Sequence, residues 1–538
     1  MSTLTKNKLT SLTPNSENLF EKFNSRKSSE IIIGFVGPIG CGISQVIDDF
    51  SQVLLEKGYK EIVKIKLSEF LSKSIDDGTI ETEGLISGCA RFKRYRSLQE
   101  AGKSIRISTN NMAILAEYAA SEIALDRARR NEHIIKVNNL SPSIPGKVAY
   151  LIDQLKRPEE VALLRAIYRN LFYTVGITRT SDKRDRSLQD EMMDPTEVSN
   201  LILIDKNESE KYGQKVDKTL HLADYFFRNE PDEAPTRKAN IERFLALIHG
   251  DKSITPTYSE QGMYAAYFAG LRSACLSRQV GAAIATTTGE IISTGCNDVP
   301  KAGGGLYTEG VKPDSRCMHR DNAFCYNDKH KNKIKDQIGL LLEETIKNVG
   351  GNLSKMQREK FLDEMYQNTG LGSLIEFSRA VHAEMDAIIT LARIGGAGLK
   401  NATLYTTTFP CHSCARHIVA ARITKVVYIE PYEKSLAKDL HSDAIVFDAI
   451  DDGESKHVKF IHFNGVAPAR FHLLFSVNGR KDSSGKFIKM MPENYEKVLP
   501  EYLDGYQHFE IKAVDNFHSE ITAIKNSLTS SKNIIKIS

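Results

Sequence analysis

No stretch of this 538-residue sequence approaches the roughly 18 consecutive apolar residues of a membrane-spanning helix. A bilayer-embedded chain is therefore not expected. The opening MSTLTKNKLTSLTPNSENLF also lacks an apolar run of signal-peptide length. Cysteine is sparse: eight residues, at 41, 89, 275, 296, 317, 325, 411 and 414, are scattered through a long chain. That is no disulfide framework, and a reducing cytoplasm is the expected compartment. Charge of one sign is scarce too. A net +4 over 538 residues gives no argument for a polyanionic partner, although it leaves room for a local basic patch. Internal repeats and low-complexity blocks are absent.

What is present suits a soluble multidomain protein. Hydrophobic residues make up 41% of the chain, enough for ordinary cores. The length exceeds what a single core normally supports. Residues 1–29 are polar and read as a flexible arm. At Glu30 the composition changes. IIIGFVG (31–37) is a β-branched run ending in glycine, hence a buried strand and a tight turn. A helical pattern and the strand EIVKIKLSEF follow. This β–loop–α–β opening predicts a parallel α/β domain over 30–235. Within it, 98–132 reads as helix, KVAYLIDQL (147–155) as a strand ending in Asp153, and the stretch from Glu159 as helix then strand. The charged TSDKRDRSLQD (180–190) reads as an exposed loop, and 212–229 as the last helix. NEPDEAPTR, near 230–238, with two prolines and several acids, reads as a linker.

The loop after the first strand is GPIGCGIS (37–44). Its place between a strand and a helix is that of a phosphate-binding loop. Gly37, Gly40 and Gly42 would let backbone amides approach phosphate, and Ser44 stands where a magnesium-binding hydroxyl belongs. Position 43, however, is isoleucine where such loops carry lysine. Nucleotide binding without turnover is the favoured reading, with a ligand-free glycine turn and an active kinase as the others.

The second domain, 236–538, begins a different pattern. A helix at 258, a hairpin over 280–297, a polar insertion over 301–375, helix 380–394, strand 402–407, helix 412–422 and strand 425–430 give one α/β/α unit. Two strings in it carry chemistry: VHAEMDA (381–387) and FPCHSC (409–414). His382, Cys411 and Cys414 are three good zinc ligands, the number a catalytic zinc site uses beside one open position for water. Cys411 and Cys414 are three apart at a predicted helix start, where the helix dipole favours thiolates. Glu384, two residues from His382, is placed to take a proton from that water and pass it on. The bland readings are a structural or redox CxxC and a packed histidine. The joint occurrence of H-x-E and P-C-x-x-C, each opening a helix, matches the zinc nucleobase deaminase signature.

The flanks LRSACLSRQVGAAI, STGCNDVP, RAVHAEMDAI and LYTTTFPCHSCARHIVAARITKVVYIEPYEKS closely resemble deoxycytidylate deaminases over roughly 258–440. The resemblance implies that His382, Cys411 and Cys414 hold Zn2+, that Glu384 shuttles protons, and that Asn297 contacts the sugar. Water then replaces ammonia at C4 of cytosine, leaving uracil. The GCNDVP turn and the IEPYEKS strand end favour a free nucleotide over a polynucleotide. With LIDQLKRPEEVALLR (151–165) the first domain looks like a degenerate nucleotide kinase, Asp153 sitting where a metal-organising acid would lie. A P-loop kinase-like domain fused to a deoxycytidylate deaminase resembles the bacterial anti-phage dCTP deaminases, and FNGVAPARF near the C-terminus fits as well. That family deaminates dCTP and dCMP to dUTP and dUMP, depleting the dCTP that phage replication needs. Some members are held silent by a small RNA. A homo-oligomer and a regulatory nucleotide at the P-loop domain are also implied.

Weaker signals remain. Cys317, His319 and Cys325, with His330 as a further candidate, read either as a second zinc site or as free thiols in a loop. Gly303-Gly304-Gly305 reads as a regulatory-nucleotide turn or a plain loop. KRYRSLQEAGKSIR (93–106) is a solvated helix face or a phosphate or RNA contact. Two other functions stand beside the main one: cytosine deamination in RNA or single-stranded DNA, and a P-loop sensor or kinase whose deaminase domain only binds.

Overall fold

The computed structural model describes residues 27–81, 87–138, 146–207, 211–395, 398–431, 435–447, 456–476, 479–489, 498–501 and 503–535. Of the expected arm, residues 1–26 lie outside these. The Ser28 amide donates to Glu501 O at 2.9 Å, so the start of the described chain is held in place. Contacts divide the chain into two compact units, Met1–Thr255 with Gly465–Ser538, and Pro256–Asn464.

The first unit runs β1 (Ile31–Val36), α1 (Ile43–Glu56), β2 (Glu61–Lys66), α2 (Leu67–Asp76), α3 (Ala90–Thr109), α4 (Ile114–Asn138), β3 (Val148–Asp153), α5 (Pro158–Tyr168), β4 (Phe172–Thr178), α6 (Ser181–Gln189), α7 (Pro195–Asn207), α8 (Val216–Leu220), β5 (Tyr225–Arg228) and α9 (Ala234–Ile248). The second runs α10 (Tyr258–Gly270), β6 (Gly281–Ala285), β7 (Ile291–Cys296), α11 (Tyr326–Asn348), α12 (Lys355–Asn368), α13 (Ala383–Ile394), β8 (Thr403–Thr408), α14 (His412–Ala420), β9 (Lys425–Glu430), α15 (Ala437–Leu440), β10 (Ile445–Phe447) and β11 (Val458–His462). The chain then returns to the first unit with β12 (Gly465–Val466), α16 (Phe471–Phe475) and α17 (Leu503–Ile535).

In the first unit the strand order is β2-β3-β1-β4-β5, all parallel, with β12 antiparallel at the β5 edge. Strands buried on both faces read as continuous apolar runs, and β1 is buried at every residue. One face packs on α1 and α9 through Phe35, Phe50, Phe227 and Phe244, whose ring centroids lie 5.2 to 6.0 Å from Phe50. The helical stretch expected over 98–132 is two helices, broken at Asn110 in a left-handed conformation (φ 49°).

Three expectations for this unit are corrected. Residues 180–190 are not a loop but α6, whose one inward face buries Arg184 and Leu188, four residues apart. A single buried stripe is easily hidden by charge on the remaining faces. Residues 212–229 are not a helix but α8 followed by β5, an aromatic strand completing the sheet. Residues 230–238 are not a linker. Pro231 and Pro235 stand in the first turns of helical segments, where the missing N–H is no loss, and α9 buries Ile241, Phe244 and Leu245. We expect Phe244→Ala to destabilise the first unit by about 3–5 kcal/mol, the usual cost of truncating a buried phenylalanine. Denaturant unfolding reads this, and a shift under about 1 kcal/mol would contradict the packing described.

The C-terminal segment, expected to extend the deaminase domain, groups instead with the first unit. Ala467 N donates to Asp224 O at 3.0 Å. Arg127 on α4 pairs with Glu30 at 3.0 Å and with Glu510 on α17, all three buried. Such a pair keeps its partners because a lone buried charge is costly.

The second unit holds a six-stranded mixed sheet, β7-β6-β8-β9-β11-β10. β6 pairs antiparallel with β7 and β8, and the rest is parallel. The expected α-β-β-α-β-α-β order is present, extended by β10 and β11. The 301–375 insertion is mostly two helices, α11 and α12. Gly281 lets α10 lie against β6, since a Cβ there would come within 1.9 Å of Ala266 O. The protein is thus mixed α/β with parallel strands in both units.

Candidate active site

Two helix starts meet at the carboxyl ends of β7 and β8. His382 is the extended residue before α13, and Cys411 the extended residue before α14. Each enters from a segment fixed by backbone bonds. Val381 N donates to Asp298 O at 3.0 Å, and Phe409 N to Glu430 O at 2.7 Å. Asp298 itself is buried and accepts the amide of Ala274 at 2.9 Å. Asp386 accepts the amide of Cys296 at 3.1 Å, clamping α13 onto β7. Sequence reasoning missed Asp298 and Asp386. The letters D in NDVP and EMDA gave the only signal.

The result is a three-donor cluster. Cys411 Sγ and Cys414 Sγ lie 3.3 and 3.4 Å from His382 Nδ1. All three donor atoms fall within 4.8 Å of one another, and among the described residues no other such group of three occurs. Tetrahedral zinc with ordinary Zn–S and Zn–N bonds separates neighbouring donors by roughly 3.6 Å. Two soft thiols and one imidazole at this spacing fit Zn2+. The Cys411 thiol is pulled down to about 4, first by its hydrogen bond with Cys414 and next, against burial, by His382. Cys414 is pushed up by the same bond, by burial and by Glu384. A cation replacing that shared proton takes both sulfurs as thiolates.

Glu384 sits in the first turn of α13, 4% exposed, with Oε2 accepting from Cys414 Sγ at 3.5 Å. Burial raises its carboxyl above the usual range, with His382 opposing. A carboxyl lifted toward neutrality can both take and give a proton. Glu384 and His382 open onto a cavity of about 340 Å3 that Asn297 also lines. Asn297 is held at both ends of its amide. Its Oδ1 accepts from Val280 N at 2.7 Å and its Nδ2 donates to Arg278 O at 2.8 Å. One amide hydrogen of Nδ2 remains for a ligand.

Other singled-out residues come out differently. Cys317, His319 and Cys325 are not gathered into a cluster with a third donor: His319 lies 3.4 Å from Asp314, and Cys325 Sγ 3.9 Å from Ser277 Oγ. Gly303–Gly305 form a tight turn closed by the Lys301 amide on Gly305 O at 3.0 Å. In IEPYEKS, residues 432–434 lie outside the described residues. The basic 93–106 stretch lies on α3, which turns Arg106 inward beside Glu160 at 3.6 Å.

The glycine loop of the first unit follows β1 and leads into α1 as expected. Gly40 and Gly42 have φ of 80° and 76°, a conformation only glycine adopts freely. Gly42 and Ser44 line a cavity of about 480 Å3, together with Lys66 and Asp153. Ile43 is buried at 3% exposure. Burial raises the Asp153 carboxyl, with Lys156 opposing. The loop amide of Ile39, however, donates to Asp205 Oδ2 at 2.7 Å. Asp205, 2% exposed on α7, also accepts from Lys156 Nζ at 2.6 Å. An internal carboxylate thus occupies one of the loop's backbone amides.

Comparison with known proteins agrees with the second unit. The family description "Cytidine and deoxycytidylate deaminase zinc-binding region" matches residues 257–430. The deoxycytidylate deaminase of Enterobacteria phage T2 is 32% identical over 174 residues, covering 32% of this chain and 78% of the phage protein. That of Enterobacteria phage T4 is 44% identical over 55 residues, covering 10% and 28%. A crystal structure of dCMP deaminase from the cyanophage S-TIM5 with dCMP and dUMP aligns at a TM-score of 0.22 and 17% identity, covering 39% of this chain and 98% of the other.

Proposed function

Because this chain belongs to the family of cytidine and deoxycytidylate deaminases, we propose that its second unit deaminates free deoxycytidine nucleotides, dCMP and dCTP, to dUMP and dUTP. The observation that carries the proposal is the buried Glu384 carboxyl beside the His382–Cys411–Cys414 cluster at the floor of one cavity. Bound zinc supplies a Lewis acid that brings the pKa of water toward neutrality. Glu384 accepts the proton of the attacking water and delivers it to N3 of cytosine. A second transfer through the same carboxyl reaches the leaving amine. One C–O bond forms at C4, one C–N bond breaks, and ammonia leaves. Asn297, fixed by Val280 and Arg278, orients the sugar. Purified protein incubated with dCTP, dCMP, CTP and single-stranded oligonucleotides, scored for uracil, tests the reading. Uracil in the oligonucleotides alone would replace it with polynucleotide editing.

The first unit is read as a P-loop kinase-like regulator that binds nucleotide without turnover. Its support is the strand–loop–helix with positive-φ glycines and with isoleucine in the lysine position. The fused arrangement supports depletion of dCTP in phage defence as the biological outcome. The Asp205 carboxylate competes with phosphate for the Ile39 amide and for Lys156. Asp205→Ala is expected to tighten binding of a nucleoside triphosphate about tenfold, the worth of one released charge-assisted bond. Calorimetry on the full chain measures it. Unchanged or weaker binding would remove the loop from the list of phosphate sites.

A further inference from the structure

The cavity above Glu384 is not walled by the deaminase core alone. One side is the first helix of the insertion, α11, which contributes Asn327, Asp328 and Lys331. Sequence patterning gave this insertion no part in the reaction. Asn327 and Lys331 are four residues apart, hence on one helical face.

Lys331 is 7% exposed, which is unusual for lysine. Its ammonium donates to Gly372 O at 3.3 Å and lies 3.8 Å from Asp328 Oδ1. Both separations exceed the roughly 2.7–2.9 Å of a tight charge-assisted bond. Asp328 is itself 55% exposed, so its charge is largely answered by water. A buried ammonium with such loose partners is poised for a stronger anion. Asn327 gives a second, independent indication. Its Nδ2 donates to Leu374 O at 3.0 Å, which fixes the amide, while the buried Oδ1 has no hydrogen-bond partner. An acceptor left in that state awaits a donor. Arg278 lines the same cavity, 46% exposed and 3.3 Å from Glu430 Oε2, against 4% exposure for Glu384. The cavity therefore runs from a buried floor at Glu384 to an opening where Arg278 and Lys331 stand with one carboxylate, Asp328.

We propose that α11 reads the sugar-phosphate end of the substrate. Lys331, with Arg278, binds the 5′-phosphate, and Asn327 Oδ1 accepts a hydrogen bond from the sugar hydroxyl. This rests on the nucleotide deaminase reading and deepens it. The insertion makes the enzyme select a phosphorylated nucleotide over the bare nucleoside.

Equilibrium binding to the zinc-loaded full chain tests this separately from turnover. Deoxycytidine, dCMP and dCTP are titrated into wild type, Lys331→Gln and Lys331→Arg, with thermal melting of each variant as the folding control. Wild type should bind dCMP at least about tenfold tighter than deoxycytidine. Lys331→Gln should lose most of that margin while holding deoxycytidine unchanged, and Lys331→Arg should restore it. A margin that survives in Lys331→Gln overturns the proposal, as does a wild type that shows none. Equal weakening toward all three ligands also overturns it, since that is the signature of a merely structural lysine. Failure of the deaminase reading shows differently: phosphate-dependent binding persists while no uracil forms.

Discussion

Replacing Glu384 with alanine leaves a folded, zinc-loaded protein whose deamination of dCMP falls at least about 10³-fold, within the range that positioned acid–base groups contribute. The loss appears in kcat, because the carboxyl acts on protons in transit and not on the bound ground state. Zinc content stays at the wild-type level, since Glu384 is not among the three converging donors. The thermal midpoint holds or rises. The carboxyl is 4% exposed and its ionised form is disfavoured by burial, so it is a group retained for chemistry at some expense of stability. Product chromatography, metal analysis and a melting curve check the three parts. Near-wild-type turnover would remove Glu384 from the proton path.

Cys414→Ala takes away zinc itself. Cys414 is 1% exposed, and its sulfur is one of the three donors that converge among the described residues. A two-donor site cannot fill the ordinary tetrahedral set with one water to spare. We expect zinc per chain to fall from about one to near zero after dialysis, and deamination to fall to background. The melting temperature should drop, because metal binding to the folded state adds directly to its stability. Chelator treatment of wild type should reproduce both effects. The same measurement bears on Cys317, His319 and Cys325. More than one zinc per wild-type chain, or one zinc retained in Cys414→Ala, would point to a second site there.

Much of the second unit was legible because its signals are local. Cys411, Pro410 and Cys414 fall within a single turn, and His382 and Glu384 are two residues apart. A helix start fixes such short-range geometry on its own. What remained hidden depends on distant partners. Asp298 and Asp386 hold the two segments in place through amides that no pattern singles out. Lys331 lies 53 residues before Glu384 in a polar insertion, and its place in the cavity is set by how α11 packs. The first unit shows the opposite error. Charge over 180–190 and prolines over 230–238 suggested loops, but one buried stripe on α6 and α9 made them core helices.

By itself the sequence determined the donor set: two thiols, an imidazole and a carboxyl at helix-start spacing, a set that suits the zinc-assisted hydrolysis proposed. It determined as well that a β-strand from Ile31 leads into a glycine loop with isoleucine at position 43. Tertiary structure decided the rest. It brought His382 to Cys411 across 29 residues, set Asp205 on the loop amide from 166 residues away, and sent the C-terminal segment back to the first unit. The reason is the same in each case. Side-chain spacing is encoded by the local backbone, whereas the neighbour that buries, charges or caps a group is chosen only when distant elements pack together.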